Sequence, residues 1–267
     1  MRKNQNKLLI GIIVFFLIVC LAACGYLVFK HLSSNSDAEK YKELVETTAQ
    51  DTTAQPTSLS EEDAIEFTQP SDTNEIGVNL KSLIAENSEI YAWIHIPDTN
   101  VNYPVAQSFV DDNFYLDHNI YKEYSFPGTI YSQSCNSKDY SDRVTVLYGH
   151  NMLNGSMFAN LLQYSDKDFF DKNPYIYIYT VDRKLTYEIV SAFLYDDRHI
   201  MNSFDFTDDS VFQSWLDQAQ NPRSTNSNAR DSVELDLDSK ILVLSTCPDY
   251  GSGRYLVQGV LISDEKI

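Results

Sequence analysis

The chain is short of cysteine and of positive charge. Of its four Cys, Cys20 and Cys24 fall inside an apolar run, so only Cys135 and Cys247 remain elsewhere in the 267 residues. A disulfide-stapled secreted scaffold needs a denser, even set, and a chain of this length buries a core without staples. A Cys135–Cys247 disulfide would also consume the thiol that carries the chemistry argued below, so both are expected as free thiols. Basic side chains number 20 against 38 acidic ones; residues 1–31 hold four of the basic groups and no acid, leaving 16 against 38 and a charge of −22 on the remainder. That balance excludes the electrostatic footprint of nucleic-acid binding. Metal-ligand spacing is missing too. His31, His95, His118 and His199 pair with no Cys or carboxylate as a zinc site would, and surface or core roles are assigned to them. The pairs Asp111-Asp112, Asp196-Asp197 and Asp208-Asp209 lack the alternation and Gly of a calcium loop. No metal or cofactor is expected, and no internal repeat occurs.

Long hydrophobic runs are confined to the N-terminus. Leu8 to Phe29 is uncharged and, at 22 residues, long enough as a helix to cross a hydrocarbon core of about 30 Å. Arg2, Lys3 and Lys7 precede it and only Lys30 follows closely. The positive-inside rule therefore predicts a cytoplasmic tail at 1–7, a single-pass anchor at 8–29 and everything beyond on the extracellular face of the cell membrane. Leu21-Ala22-Ala23-Cys24 has the small-residue character of a lipoprotein processing site, but the apolar run continues through Phe29 and favours an uncleaved anchor. From 30 to 73 the sequence is rich in Ser, Thr, Gln, Asp and Glu, and reads as a flexible polar stalk with a short helix near Ala38 to Val45. One domain remains, 74–267.

Within it, Asn79 to Asn87 carries Leu80, Leu83 and Ile84 at helical spacing. Tyr91 to Ile96, Gly128 to Ser132, Val144 to Tyr148, Tyr175 to Thr180, Leu185 to Leu194, Ile241 to Thr246 and Tyr255 to Ile262 are rich in β-branched and aromatic residues and read as strands. Helices are expected at Met157 to Tyr164 and Ser210 to Ala219. The fold class is mainly β with inserted helices, a barrel or curled sheet, mostly antiparallel.

Two of these strands end in reactive side chains. Val144-Thr145-Val146-Leu147-Tyr148-Gly149 runs into His150; Ile241 to Thr246 runs into Cys247, and Arg254 follows seven residues later. A thiol is mostly neutral at pH 7 and only the thiolate attacks a carbonyl well, so it needs a base or a positive charge beside it. An imidazole can serve as base and later protonate a leaving amine, and a guanidinium can hold a developing oxyanion. Singly, each is more often a packing or surface residue. Together they point to acyl transfer through a thioester.

Tyr148-Gly149-His150-Asn151-Met152, Gly155-Ser156-Met157-Phe158, Leu244-Ser245-Thr246-Cys247 and Arg254 resemble the signature of the sortases, class B. The likeness extends to Trp93-Ile94, Asn102-Tyr103-Pro104-Val105, the Tyr175 to Thr180 strand and the Ser210 to Ala219 helix. It implies an eight-stranded sortase barrel with added helices, in a membrane-anchored cysteine transpeptidase of a Gram-positive surface. His150, Cys247 and Arg254 then take the family's catalytic positions, Ser245 and Tyr148 line the same cleft, and Asn113 matches a substrate-contacting Asn. The implied partners are surface proteins with a C-terminal sorting signal of the Asn-Pro-x-Thr or related Pro-x-Thr type, cut after Thr, and an acceptor amine from a cell-wall precursor or a pilin Lys. One feature departs from an ordinary oxyanion hole: Pro248 follows the thiol and has no backbone N–H to offer. The competing readings are a thiol endopeptidase, which in the papain-like order places Cys before His, and a non-catalytic surface scaffold.

Overall fold

The β-branched and aromatic runs pair into one sheet in a computed structural model, which describes residues 12–26, 28, 36, 39–41, 43, 77–224, 227–249 and 251–267. In chain order the strands are β1 (Ile90–His95), β2 (Asn102–Ala106), β3 (Ile130–Tyr131), β4 (Val144–Tyr148), β5 (Tyr175–Tyr179), β6 (Arg183–Tyr195), β7 (Ser227–Ala229), β8 (Ile241–Thr246) and β9 (Arg254–Lys266). The helices are α1 (Leu80–Glu86), α2 (Lys167–Lys172), α3 (Ile200–Ser203) and α4 (Asp209–Gln220), with tighter 3-10 turns at Phe114–Leu116 and Ala159–Ser165.

The strand order is β5-β1-β2-β3-β4-β8-β9-β6, and β5 pairs with β6 to close the ring. These eight strands form the expected barrel, and closure removes the exposed edges that an open sheet must protect. β6 is long enough to pair with β5 over Lys184 to Glu188 and with the short β7 over Ser191 to Phe193. Two contacts depart from the antiparallel expectation, for β2 and β3 run parallel, as do β4 and β8. Parallel neighbours need long crossovers, and the segment between β4 and β8 contains every helix after α1.

Other differences are local. β2 breaks the usual strand composition because Pro104 lies within it, yet Trp93 still pairs opposite that proline. The expected helix at Met157 to Tyr164 is a 3-10 turn shifted to Ala159–Ser165. α1 and α4 form as the periodicity predicts. α4 starts at Asp208, whose carboxylate accepts from Ser210 N at 2.8 Å and Val211 N at 3.3 Å and fills two of the helix's orphan N–H groups.

The β4–β8–β9 sector of the sheet is covered on both sides. Leu147, Leu242, Leu244, Tyr255 and Val257 face the barrel interior with Trp93 and Phe158. Val144, Val146, Val243, Leu256 and Val260 face outward, where Phe212, Trp215 and Leu216 of α4 and Phe206 cover them. The period of two along each strand produces this division. Both layers are buried, so the strands read as nearly continuous apolar runs.

At the N-terminus residues 12–26 are helical, with Phe15, Phe16 and Leu21 more than half exposed. Among the described residues no helix is long and apolar enough to cross a membrane. The tail at 1–7, both ends of the expected 8–29 anchor and most of the 30–73 segment lie outside the described residues. One exception is Tyr41, which is buried: its hydroxyl donates to Gly128 O at 3.2 Å, and its ring meets Tyr103 edge-on at 5.6 Å.

Candidate active site

Three neighbouring strands terminate at one rim of the barrel. β4 and β8 pair in parallel with Tyr148 opposite Ser245, and continuing that register by two residues brings His150 level with Cys247. β8 and β9 pair antiparallel with Thr246 opposite Tyr255, and one further step brings Cys247 level with Arg254. Adjacent strands lie about 4.8 Å apart, so residues about a hundred positions apart in sequence become neighbours. Tyr148 and His150 share a face by the strand's period of two, as do Ser245 and Cys247. All four line one cleft of about 340 Å³ together with Asn113 and Arg254, so every site residue expected from the sequence meets there.

Pairing persists past the strand ends through specific bonds. Gly149 N donates to Ser245 O at 3.2 Å, and Thr246 Oγ1 donates to Gly149 O at 2.8 Å. Asn151 Nδ2 reaches Asp249 Oδ1 at 2.9 Å, joining the loop after His150 to the loop after Cys247. Gly149 is required for close approach: a Cβ there would lie 2.5 Å from Ile130 Cδ1 and 2.8 Å from Phe158 Cδ2. Arg254 is aimed by a turn that needs Gly253, which has φ +106° and whose missing Cβ would fall 2.3 Å from Tyr195 O.

The exposed Cys247 thiol accepts a hydrogen bond from Arg254 Nη1 at 3.1 Å. A guanidinium in contact with the sulfur also stands beside the place where an attacked carbonyl would develop its oxyanion. His150 is held from the other side: Nε2 lies 2.8 Å from Leu116 O, and the ring stacks on Phe126 with centroids 5.7 Å apart. A carbonyl only accepts, so Nε2 carries the proton.

Two phenols wall the cleft without adding charge. Burial pushes the Tyr131 hydroxyl up to about 12, with Arg254 pulling the other way. Burial, the nearby Cys135 thiol and Tyr131 push Tyr148 well above the usual phenol range, again against Arg254. Both stay neutral at physiological pH, so Arg254 keeps its charge for the sulfur. The Tyr148 hydroxyl has no hydrogen-bond partner among the described residues. Cys135, expected as a loop thiol, is exposed and free, and lines a separate groove of about 860 Å³ beside Arg143, Phe204 and Phe206.

Several cleft residues escape sequence reasoning. His199, assigned above to a surface or core role, lines the cleft with Asp197, Arg198, Ile200, Gln133 and Leu116. No local motif marks them. Leu116 acts through a main-chain carbonyl, and His199 is delivered by the short α3 that the sequence reading lacks. Among the described residues no group of His, Cys, Asp and Glu is placed to hold a metal ion.

The Sortase domain family matches residues 94–262. Sortase B of Listeria monocytogenes is 33% identical over 198 residues, 71% of this chain and 76% of the relative. Sortase B of Staphylococcus aureus is 28% identical over 64% of this chain and 68% of its own length. Among solved structures, Clostridium perfringens sortase B superposes with a TM-score of 0.62 at 33% identity, covering 68% of this chain and 99% of that one. A Streptococcus pyogenes class B sortase involved in pilus biogenesis gives 0.60 at 26% identity, covering 70% of this chain and 99% of that one.

Proposed function

Since this chain belongs to the sortase family, as a class B cysteine transpeptidase, we propose that it cleaves a Pro-x-Thr type sorting signal (Asn-Pro-x-Thr or related) after Thr and transfers the surface protein to a cell-wall amine. The observation that carries this reading is the meeting of His150, Cys247 and Arg254 on three adjacent strand ends, with the guanidinium on the sulfur. In the first step the Cys247 thiol passes its proton to Nδ1 of His150, the thiolate attacks the Thr carbonyl, a C–S bond forms, and the carbonyl electrons move to oxygen beside Arg254. The C–N bond then breaks as His150 gives its proton to the leaving amine, leaving a thioester. In the second step the acceptor amine attacks the thioester, its proton passes to His150, and the C–S bond breaks to restore the thiolate.

Arg254 carries most of the oxyanion stabilisation in this proposal, because Pro248 removes the N–H next to the nucleophile. Ser245, Tyr148 and Asn113 bind the signal upstream of Thr. The uncharged run at 8–29 supports a single-pass membrane anchor with the domain on the extracellular face, and the exposed apolar helix at 12–26 is consistent with it.

The test uses the full chain in detergent micelles with fluorogenic Asn-Pro-x-Thr and Pro-Pro-x-Thr peptides, offered either a peptidoglycan-type amine or a pilin-type Lys peptide. Cleavage after Thr that is lost in Cys247→Ala, together with an amine-linked product, is the expected result. Cleavage with water as the only acceptor refutes transfer, and preference for the Lys peptide shifts the reading to pilin polymerisation.

A further inference from the structure

The cleft wall bearing Asn113 is wired to α3 by a chain of hydrogen bonds with only one possible direction. Asn202 N donates to His199 Nδ1 at 3.1 Å, where His199 caps α3. A main-chain N–H cannot accept, so Nδ1 is the bare nitrogen and Nε2 holds the proton. Nε2 lies 2.5 Å from Gln133 Oε1, which places the Gln133 amide with its oxygen toward His199. Gln133 Nε2 then donates to Asn113 Oδ1 at 3.1 Å. The Asn113 oxygen is thereby engaged, and its NH₂ is what the side chain presents to the cleft.

The ends of the chain are anchored by other groups. Gln133 is nearly buried, and its main-chain carbonyl accepts from Gln107 Nε2 at 2.9 Å. Asn113 N donates to Asp111 Oδ1 at 2.9 Å, and Ser134 N donates to Asp112 Oδ1 at 2.8 Å. The Gln133 amide cannot flip without breaking its bonds to both His199 and Asn113, and the Asn113 amide cannot flip without losing its bond from Gln133. Asn113 itself is exposed and shares the cleft with Cys247.

We infer that His199 and Gln133 are positioning residues that lock Asn113 as a hydrogen-bond donor, so that the cleft selects a carbonyl oxygen of the substrate upstream of the scissile Thr. This rests on the transpeptidase reading above and adds to it the polarity of one subsite and the residues that set it. His199 acts on Asn113 through Gln133.

Two variants separate this role from folding. His199→Asn keeps a good helix cap for α3 but is too short to reach Gln133. Gln133→Glu keeps an acceptor for His199 while placing a second acceptor toward Asn113, which forces the Asn113 amide to turn its oxygen into the cleft. In full chain with Asn-Pro-x-Thr peptide, each variant is expected to raise KM about tenfold, the worth of one hydrogen bond, with kcat at saturation little changed. Added to Asn113→Ala, His199→Asn is expected to have no further effect, since the group it positions is gone. A KM within twofold of the parent in both variants overturns the inference, as does a fall in kcat with KM unchanged. Peptide left uncut by the parent chain overturns the transpeptidase reading and this inference with it, whereas peptide cut normally by parent and variants alike overturns this inference alone.

Discussion

Replacing Arg254 tests the division of labour at the reaction centre. Its Nη1 donates to Cys247 Sγ at 3.1 Å, and the residue after the thiol is Pro248, so the main chain supplies no N–H there. Removing one oxyanion donor costs about 3 kcal/mol, on the order of a hundredfold to a thousandfold in kcat. With no donor at position 248 to share the load, Arg254→Ala is expected at the upper end, about a thousandfold. Arg254→Lys keeps charge but loses the planar fork, and an intermediate loss of about tenfold to a hundredfold is expected. Pro248→Ala restores an N–H, and in the Arg254→Lys background it is expected to recover part of that loss. Steady-state turnover of a fluorogenic sorting peptide measures kcat, and alkylation of Cys247 by iodoacetamide, followed in parallel, reports the thiol alone. If Arg254→Lys keeps nearly full turnover, the argument from Pro248 fails.

Gly149→Ala drives a methyl into Ile130 and Phe158; it is expected to cost about 1–3 kcal/mol in urea unfolding and, by shifting His150, to lower kcat in a chain that remains folded. Tyr41→Ala removes a buried ring and its hydrogen bond to Gly128, and is expected to cost about 3 kcal/mol, whereas Tyr41→Phe costs about 1 kcal/mol; equal unfolding midpoints for all three chains would show that residue 41 does not pack on the domain. Burial would raise the Glu89 carboxyl, but hydrogen bonds from Phe109 N and Tyr115 and the Lys122 ammonium outweigh it, and the group sits below its ordinary 4.5. A depressed carboxyl stabilises the fold above its unfolded value, and that contribution is lost as pH falls through 4.5 toward the folded value. Chemical denaturation of parent and Glu89→Gln across that window should show the parent's advantage shrinking as pH falls, and an advantage constant with pH would refute it.

Much of the barrel could be read along the chain because period-two patterning is local. Val144 to Tyr148 and Ile241 to Thr246 announce strands by composition alone, and α4 is marked by Val211, Trp215 and Leu216 at helical spacing. β2 escaped because Pro104 breaks the pattern, and it forms only because β1 and β3 hold it on either side. The parallel directions of β2–β3 and β4–β8 were illegible for a different reason, since a strand's own sequence does not record which way its neighbour runs.

The same distinction divides the site. The reactive groups and the order in which they end their strands are written along the chain: His150, then Cys247, then Arg254, with a proline where an N–H would stand. Those are properties of side chains and short runs, and they need no neighbours to be read. Folding alone sets Tyr148 opposite Ser245, which brings His150 level with Cys247, and turns the Leu116 carbonyl to the imidazole. It alone placed His199 and Gln133 behind Asn113. A main-chain carbonyl is the same in every residue, and a glutamine amide has no preferred direction until its partners are in place, so neither could be known before the chain had folded.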